Sequence, residues 1–402
     1  MRKSSLLGLI LVTVSYLLMA CGAGTSNEVN KNDSLHVSSL HKDSVAAIKN
    51  NLRRPVNKNL NNLARYIAGM EITDPSFDST LLHQKDWANF SKTMNETWAN
   101  TGEPKIAKMK PWVTKELDPI KATNLFYPFA GADALNAVTL FPHVKNYYMI
   151  GLEPVGTLPD FNKILKAKDI DHYFKTVGQS LESILNFSFF RTKSMAVEFH
   201  QSDVNGTIHV LLLFLERTGN SIIDIQPVAV NPKGELIVYK DFNAAEKDTM
   251  RNKGAAISFV GPDSLEHTLT YFSINLSNEA FPKNSGFKAF LKKQQADVTY
   301  IKSASYLMHK AYFSDIRSTI LSNSRAILQD DSGIPWKLFN DSTATVTLFG
   351  AYTGTISLFP NCVQADLDNA YKKDPTKVHA LPFGIGYKYV PGESNLMLRV
   401  KK

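Results

Sequence analysis

The chain has 402 residues, of which 20% are charged and 10% aromatic, a composition that fits a folded protein and excludes an intrinsically disordered one. Its formal charge is +8, but the basic residues are scattered: Lys105, Lys108 and Lys110, then Lys292 and Lys293, then Lys372 and Lys373. A nucleic-acid footprint would be clustered and interleaved with stacking aromatics, so no nucleic-acid partner is expected.

At the start of the chain, Arg2 and Lys3 precede an apolar run from Leu6 to Met19. The run is too short for a bilayer core, which needs about 20 residues, so residues 1–20 are predicted to be a cleaved export signal. Leu18, Met19, Ala20 and Cys21 resemble the lipobox of bacterial lipoproteins. That resemblance implies cleavage before Cys21, lipidation of Cys21, and a membrane-attached location in the bacterial cell envelope. Gly22, where some bacteria place a retention Asp, implies the outer membrane by the same resemblance. A second acyl chain makes such attachment stable, because one gives only marginal binding. Cys362, the other cysteine, is then left without a disulfide partner and is expected to be a small buried residue.

Residues 21–58 are poor in large apolar side chains and rich in Ser, Asn, Asp and Lys, which predicts a lipidated flexible tether. Residues 59–120 are predicted to be a helical segment packing on the main domain. Leu60, Leu63, Ala64, Ile67 and Ala68 share one helical face, and Trp87, Phe90, Met94 and Trp98 share another. The two Trp-Ala-Asn triplets, eleven residues apart, point the same way and read as a core stripe, with sugar stacking as the alternative. Gly102 and Pro104 are expected to end this region.

Residues 121–402 read as an α/β domain. Leu125–Phe129 is a short apolar strand, residues 130–133 a turn, Ala134–Phe141 a helix and Tyr147–Glu153 a second strand, a βαβ pattern. Such units place ligand sites beyond the C-terminal strand ends, here beside Gly131, Asp133 and Glu153. Helices are expected over Asp171–Phe187 and Gly206–Arg217, and a hairpin joins Ser221–Val230 to Glu235–Tyr239 through Asn-Pro-Lys-Gly. Strands at Ala255–Val260 and Thr268–Leu276 flank Gly261–Leu265. Phe129–Leu135 and Phe259–Leu265 share Phe-x-Gly-x-Asp-x-Leu, which reads as two strand-to-helix turns or a short internal echo. The last third alternates a strand at Val298–Ile301, a helix from about Ser303 to Asn323, a strand at Ala326–Gln329, a strand at Thr343–Tyr352, a helix near Val363–Tyr371 and a final strand at Asn395–Val400. The expected fold is a mixed, mostly parallel sheet flanked by helices.

Gly-x-x-x-x-Gly-Lys-Ser/Thr, Gly-x-Gly-x-x-Gly, His-Glu-x-x-His and Gly-x-Ser-x-Gly spacings do not occur, so no cofactor and no metal site is assigned. Asp330 and Asp331 end a strand before Ser-Gly, where exposed carboxylates can bind a metal, act as acid and base, or simply form an Asx-turn and cap. His309 is a second candidate for catalysis, and His200 with Asp203 is a spaced pair short of a metal site. Glu153, ending the second strand of the βαβ unit, fits a ribose hydroxyl in a methyltransferase-like nucleoside site. Pro128 and the single Gly131 make a poor phosphate turn. Tyr127–Asp133, Lys302–His309, Ile327–Pro335 and Leu381–Gly384 resemble stretches of exported bacterial proteins of unassigned activity, a resemblance that carries no site residue across. Three readings remain: a lipid-anchored binding or scaffold protein, an envelope enzyme on which Asp133, Glu153, Asp330 and Asp331 converge, or a methyltransferase-like nucleoside-binding fold.

Overall fold

A computed structural model describes residues 53–161, 164, 170–187, 206–248 and 252–402. The export signal, Cys21 and the expected tether up to residue 52 lie outside the described residues, as do His200 and Asp203. The chain is engaged before the expected boundary at 58. The Arg54 N–H and guanidinium donate to Glu266, and the Asn57 N–H donates to the Ile222 carbonyl, within a compact unit that runs Arg54–Lys402.

The strands are β1 (Asn124–Tyr127), β2 (Asn146–Gly151), β3 (Ser221–Val230), β4 (Leu236–Val238), β5 (Lys253–Val260), β6 (Glu266–Ser273), β7 (Val298–Ile301), β8 (Ala326–Gln329), β9 (Ala344–Gly350), β10 (Val378–His379) and β11 (Asn395–Lys401). They form one sheet in the order β10-β9-β11-β8-β7-β1-β2-β6-β5-β3-β4. The central strands β8, β7, β1, β2 and β6 are mutually parallel. Antiparallel pairing is confined to the wings: β5, β3 and β4 on one side, and β11, inserted between β8 and β9, on the other. Counted along the chain, the five parallel strands lie in the order 3-2-1-4-5. That is the doubly wound order, and it reverses between β1 and β7.

Helices cover both faces. They are α1 (Lys58–Ile67), α2 (Lys85–Thr97), α3 (Glu103–Glu116), α4 (Ala134–Leu140), α5 (Ile170–Phe187), α6 (Ile208–Arg217), α7 (Phe242–Lys247), α8 (Ser285–Gln294), α9 (Ser314–Asn323), α10 (Trp336–Phe339) and α11 (Ala365–Lys373). Successive strand residues point to opposite faces. Accordingly Leu125, Tyr127, Tyr147 and Met149 join a core with α1 to α6, whereas Phe126, Tyr148 and Ile150 join a second core with α8, α9 and α11. Because both faces are buried, the central strands read as continuous apolar runs without polar alternation.

Three expectations are revised. Gly102 and Pro104 do not end the N-terminal helical region: residues 98–102 make a wide helical turn, and Pro104 sits in the first turn of α3, where its missing N–H has no cost. Gly102 is needed at that turn, since a Cβ would lie 2.6 Å from the Trp98 ring. The helix expected from Ser303 begins only at Ser314; residues 307–309 and 311–313 are single short turns. Finally, Gly261–Leu265 is the tight turn of the antiparallel β5–β6 hairpin and opens no helix. The two Trp-Ala-Asn tryptophans are core residues: Trp87 stacks on Tyr66 at 5.4 Å and donates its indole N–H to the Tyr66 carbonyl, and Trp98 is buried.

Candidate functional site

A cavity of about 640 Å³ opens at the C-terminal ends of β1, β2, β6 and β7, across the point where the strand order reverses. This is where open α/β sheets bind ligands, and the volume falls within the roughly 300–1,000 Å³ of small-molecule sites. The Ala130 N–H ties the β1 loop to the Ile150 carbonyl, and the Ile274 N–H ties the β6 end to the Gly151 carbonyl.

Gly131, Asp133 and Glu153 all line this cavity. Asp133 caps α4 by accepting from the Asn136 N–H at 3.1 Å, accepts the Tyr127 hydroxyl at 2.8 Å, and pairs with Lys302 Nζ at 2.7 Å. Both partners of that ion pair are buried, so each neutralises a charge the other could not carry alone. Burial, reinforced by the Asp133 charge, holds the Tyr127 hydroxyl well above its ordinary pKa and therefore as a donor. Nearby, burial and then the Lys302 charge lower Lys105 to about 8. α4 is short and its N-terminus is occupied by Asp133, which leaves no place for a ligand phosphate.

Glu153 differs. It is 1% exposed, and its Oε2 accepts the Leu152 N–H at 3.0 Å and the Tyr271 hydroxyl at 3.3 Å. Among the described residues no cation pairs with it, and its Oε1 accepts no hydrogen bond. Gly151 is fixed by this arrangement: a Cβ there would collide with the Glu153 carboxylate and the Tyr271 hydroxyl.

The loop after β7 forms the opposite wall. Ser303, Ser305 and Tyr306 have φ of 50°, 50° and 52°, and Phe129 across the cavity has φ 59°, all in the left-handed region that non-glycine residues avoid. Such outliers persist only where their surroundings over-determine them, and they gather at ligand clamps. Here Asp330 accepts the Ser303 N–H at 2.8 Å, the Ser332 hydroxyl accepts the Ala304 N–H at 2.7 Å, and the Tyr387 hydroxyl accepts the Ser305 N–H at 3.0 Å while donating to the Ser303 carbonyl at 2.9 Å. Asp331 accepts from the Tyr306 hydroxyl and from Asn395 Nδ2.

Asp330 and Asp331 therefore stand behind the cavity wall as a brace for this loop. They are not brought into one space with Asp133 and Glu153. Burial, then the neighbouring Asp331 charge, pushes the Asp330 carboxyl up, and burial raises that of Asp331 despite its hydrogen bonds. His309 packs edge-on against Tyr306 at 5.2 Å, and burial lowers its pKa to about 4. It does not line the cavity. Cys362 is half-buried. Among the described residues no group of three or more His, Cys, Asp or Glu is placed to hold a metal ion, and no helix is long and apolar enough to cross a membrane.

Sequence reasoning missed Lys302, Tyr271 and Tyr387. Lys302 could have been found, because a lysine ending an apolar strand beside the switch point must neutralise something buried. Comparison with protein families, with curated proteins and with solved structures yields no match to this chain.

Proposed function

We propose that the chain is a lipid-anchored binding protein of the bacterial envelope, whose ligand occupies the cavity at the C-terminal ends of β1, β2, β6 and β7. The observation that carries this reading is Glu153: a buried carboxylate with one oxygen unpartnered, facing a ready-made cavity. An acceptor oxygen left open at a cavity wall is available to a ligand hydroxyl or N–H. Binding is favoured over catalysis because Asp133, Asp330 and Asp331 are fully engaged in holding structure and leave no acid–base pair facing the cavity.

A saturating ligand stabilises the fold by about 2.7 kcal/mol at a hundred times its Kd. The expected result is a ligand-dependent rise in Tm with small-molecule fractions from the envelope, abolished in Glu153→Gln; a shift that survives Glu153→Gln overturns the assignment of the cavity. The anchor is tested separately by labelling with a palmitate analogue. Cys21→Ser is expected to lose all label, and retained label overturns the lipid attachment.

The 3-2-1-4-5 strand order with an acidic residue closing β2 favours a second reading, a methyltransferase-like nucleoside site in which Glu153 accepts the ribose hydroxyls. Stabilisation by adenosine or S-adenosylmethionine that is lost in Glu153→Gln would select it over the first.

A further inference from the structure

What the cavity asks of its ligand is legible in which lining groups remain unpartnered. Asp133 is filled by Lys302, Tyr127 and Asn136. The Ser305 and Tyr387 hydroxyls bond each other, and Asn275 Oδ1 accepts the Ser277 N–H. Among the lining residues the Ser303 hydroxyl is a buried polar atom without a partner, and Glu153 Oε1, unlike its Oε2, accepts no hydrogen bond from a described residue. The remaining wall is hydrocarbon, including Phe129, Ile184, Ile274, Leu276 and Phe313.

The mouth continues this character. Leu152 and Leu358 both line the cavity and yet are 60% and 70% exposed. Two exposed leucines on the lining of one apolar cavity fit an apolar partner. The carboxyl and amine side chains of the lining are Asp133, Lys302 and Glu153, and the first two are paired with each other, so the lysine is already matched to a carboxylate. A carboxylate head thus meets a carboxyl oxygen and a lysine already paired, whereas a hydroxyl donor finds an acceptor in Glu153 Oε1.

Resting on the cavity assignment above, we propose that the ligand is a single-chain amphiphile with a neutral, hydroxylated head of the glycerol or sugar type. Its hydroxyls sit on Glu153 Oε1 and its acyl chain runs along the apolar wall, leaving between Leu152 and Leu358. This places the ligand in the membrane to which the proposed anchor attaches the protein.

The full chain, held in a fluorinated surfactant that does not mix with hydrocarbon, is titrated calorimetrically with 1-monoacylglycerols of increasing length, with laurate, and with adenosine. Monolauroylglycerol is expected to bind at least tenfold tighter than laurate, with affinity rising roughly fourfold per added methylene until the chain fills the cavity. Glu153→Gln is expected to erase the preference over laurate while chain-length dependence remains. Leu358→Asp, at an exposed site that leaves folding intact, is expected to weaken every chain-bearing probe at least tenfold. Equal or tighter binding of laurate, or binding insensitive to Leu358→Asp, overturns the amphiphile. Binding of adenosine alone overturns it while leaving the cavity assignment standing; failure of all probes, together with no Glu153-dependent thermal shift, removes both.

Discussion

Phe129–Leu135 and Phe259–Leu265 carry the same Phe-x-Gly-x-Asp-x-Leu pattern and fold into different objects. In the first, Phe129 and Gly131 both adopt positive φ, and Asp133 caps a helix that crosses over to a parallel strand. In the second, Phe259 stays in β5, Ser264 takes the positive φ, and the chain returns directly as β6. The neighbours decide. β1 lies between two parallel partners and must leave its sheet edge to continue, whereas antiparallel β5 and β6 can be joined by a tight turn. The two aspartates diverge with their settings: Asp133 is buried against Lys302, and Asp263 is partly exposed and accepts from His267 and the Leu265 N–H.

That contrast can be broken by substitution. Asp133→Ala strands a buried Lys302 charge and uncaps α4, and is expected to cost about 3–5 kcal/mol in urea unfolding. Lys302→Met added to it is expected to restore most of the loss; a single variant as stable as wild type would remove the ion pair from its central place. Gly131→Ala, which forces a Cβ into the left-handed region, is expected to cost about 1–2 kcal/mol, seen as a lowered urea midpoint at unchanged slope. Asp263→Ala is expected to cost only about 0.5–1.5 kcal/mol at neutral pH.

The pH dependence of that last effect sharpens the comparison. Burial alone would raise the Asp263 carboxyl, but the bonds from His267 and the Leu265 N–H outweigh it and hold the pKa below its ordinary value. A carboxyl depressed in the fold binds fewer protons there than in the unfolded chain, so its stabilisation is full above about pH 3.9 and disappears as pH falls through the folded value. The stability gap between wild type and Asp263→Asn should therefore close in acid; a gap that persists unchanged to pH 2 would separate the effect from the carboxylate.

Much of the frame was readable because short apolar strands between turn residues leave few alternatives. Leu125–Tyr127 and Tyr147–Ile150 are buried on both faces and announced the parallel centre, and Gly131, Asp133 and Glu153 followed from where such strands end. The loop after β7 was misread because Ala304, Leu307 and Met308 imitate helical spacing, and no local signal reveals three left-handed residues held from elsewhere. Those holding groups arrive from distant chain: Tyr387 is 82 residues from Ser305, and Tyr271 is 118 from Glu153. Pairs so separated have no spacing rule to betray them. Asp330 and Asp331 were visible as a polar strand end, but whether they face a ligand or a backbone depended on that same loop.

β11 is the last strand in chain order and lies third in space, inserted between β8 and β9, with Asn395 at its start bonded to Asp331. A chain emerging N-terminus first leaves that slot open until residues 395–401 appear, and Tyr387 reaches the β7 loop only shortly before. The cavity wall is thus completed only once β11 is in place: a chain halted short of it leaves the β8 edge unpaired and Asp331 without the Asn395 amide.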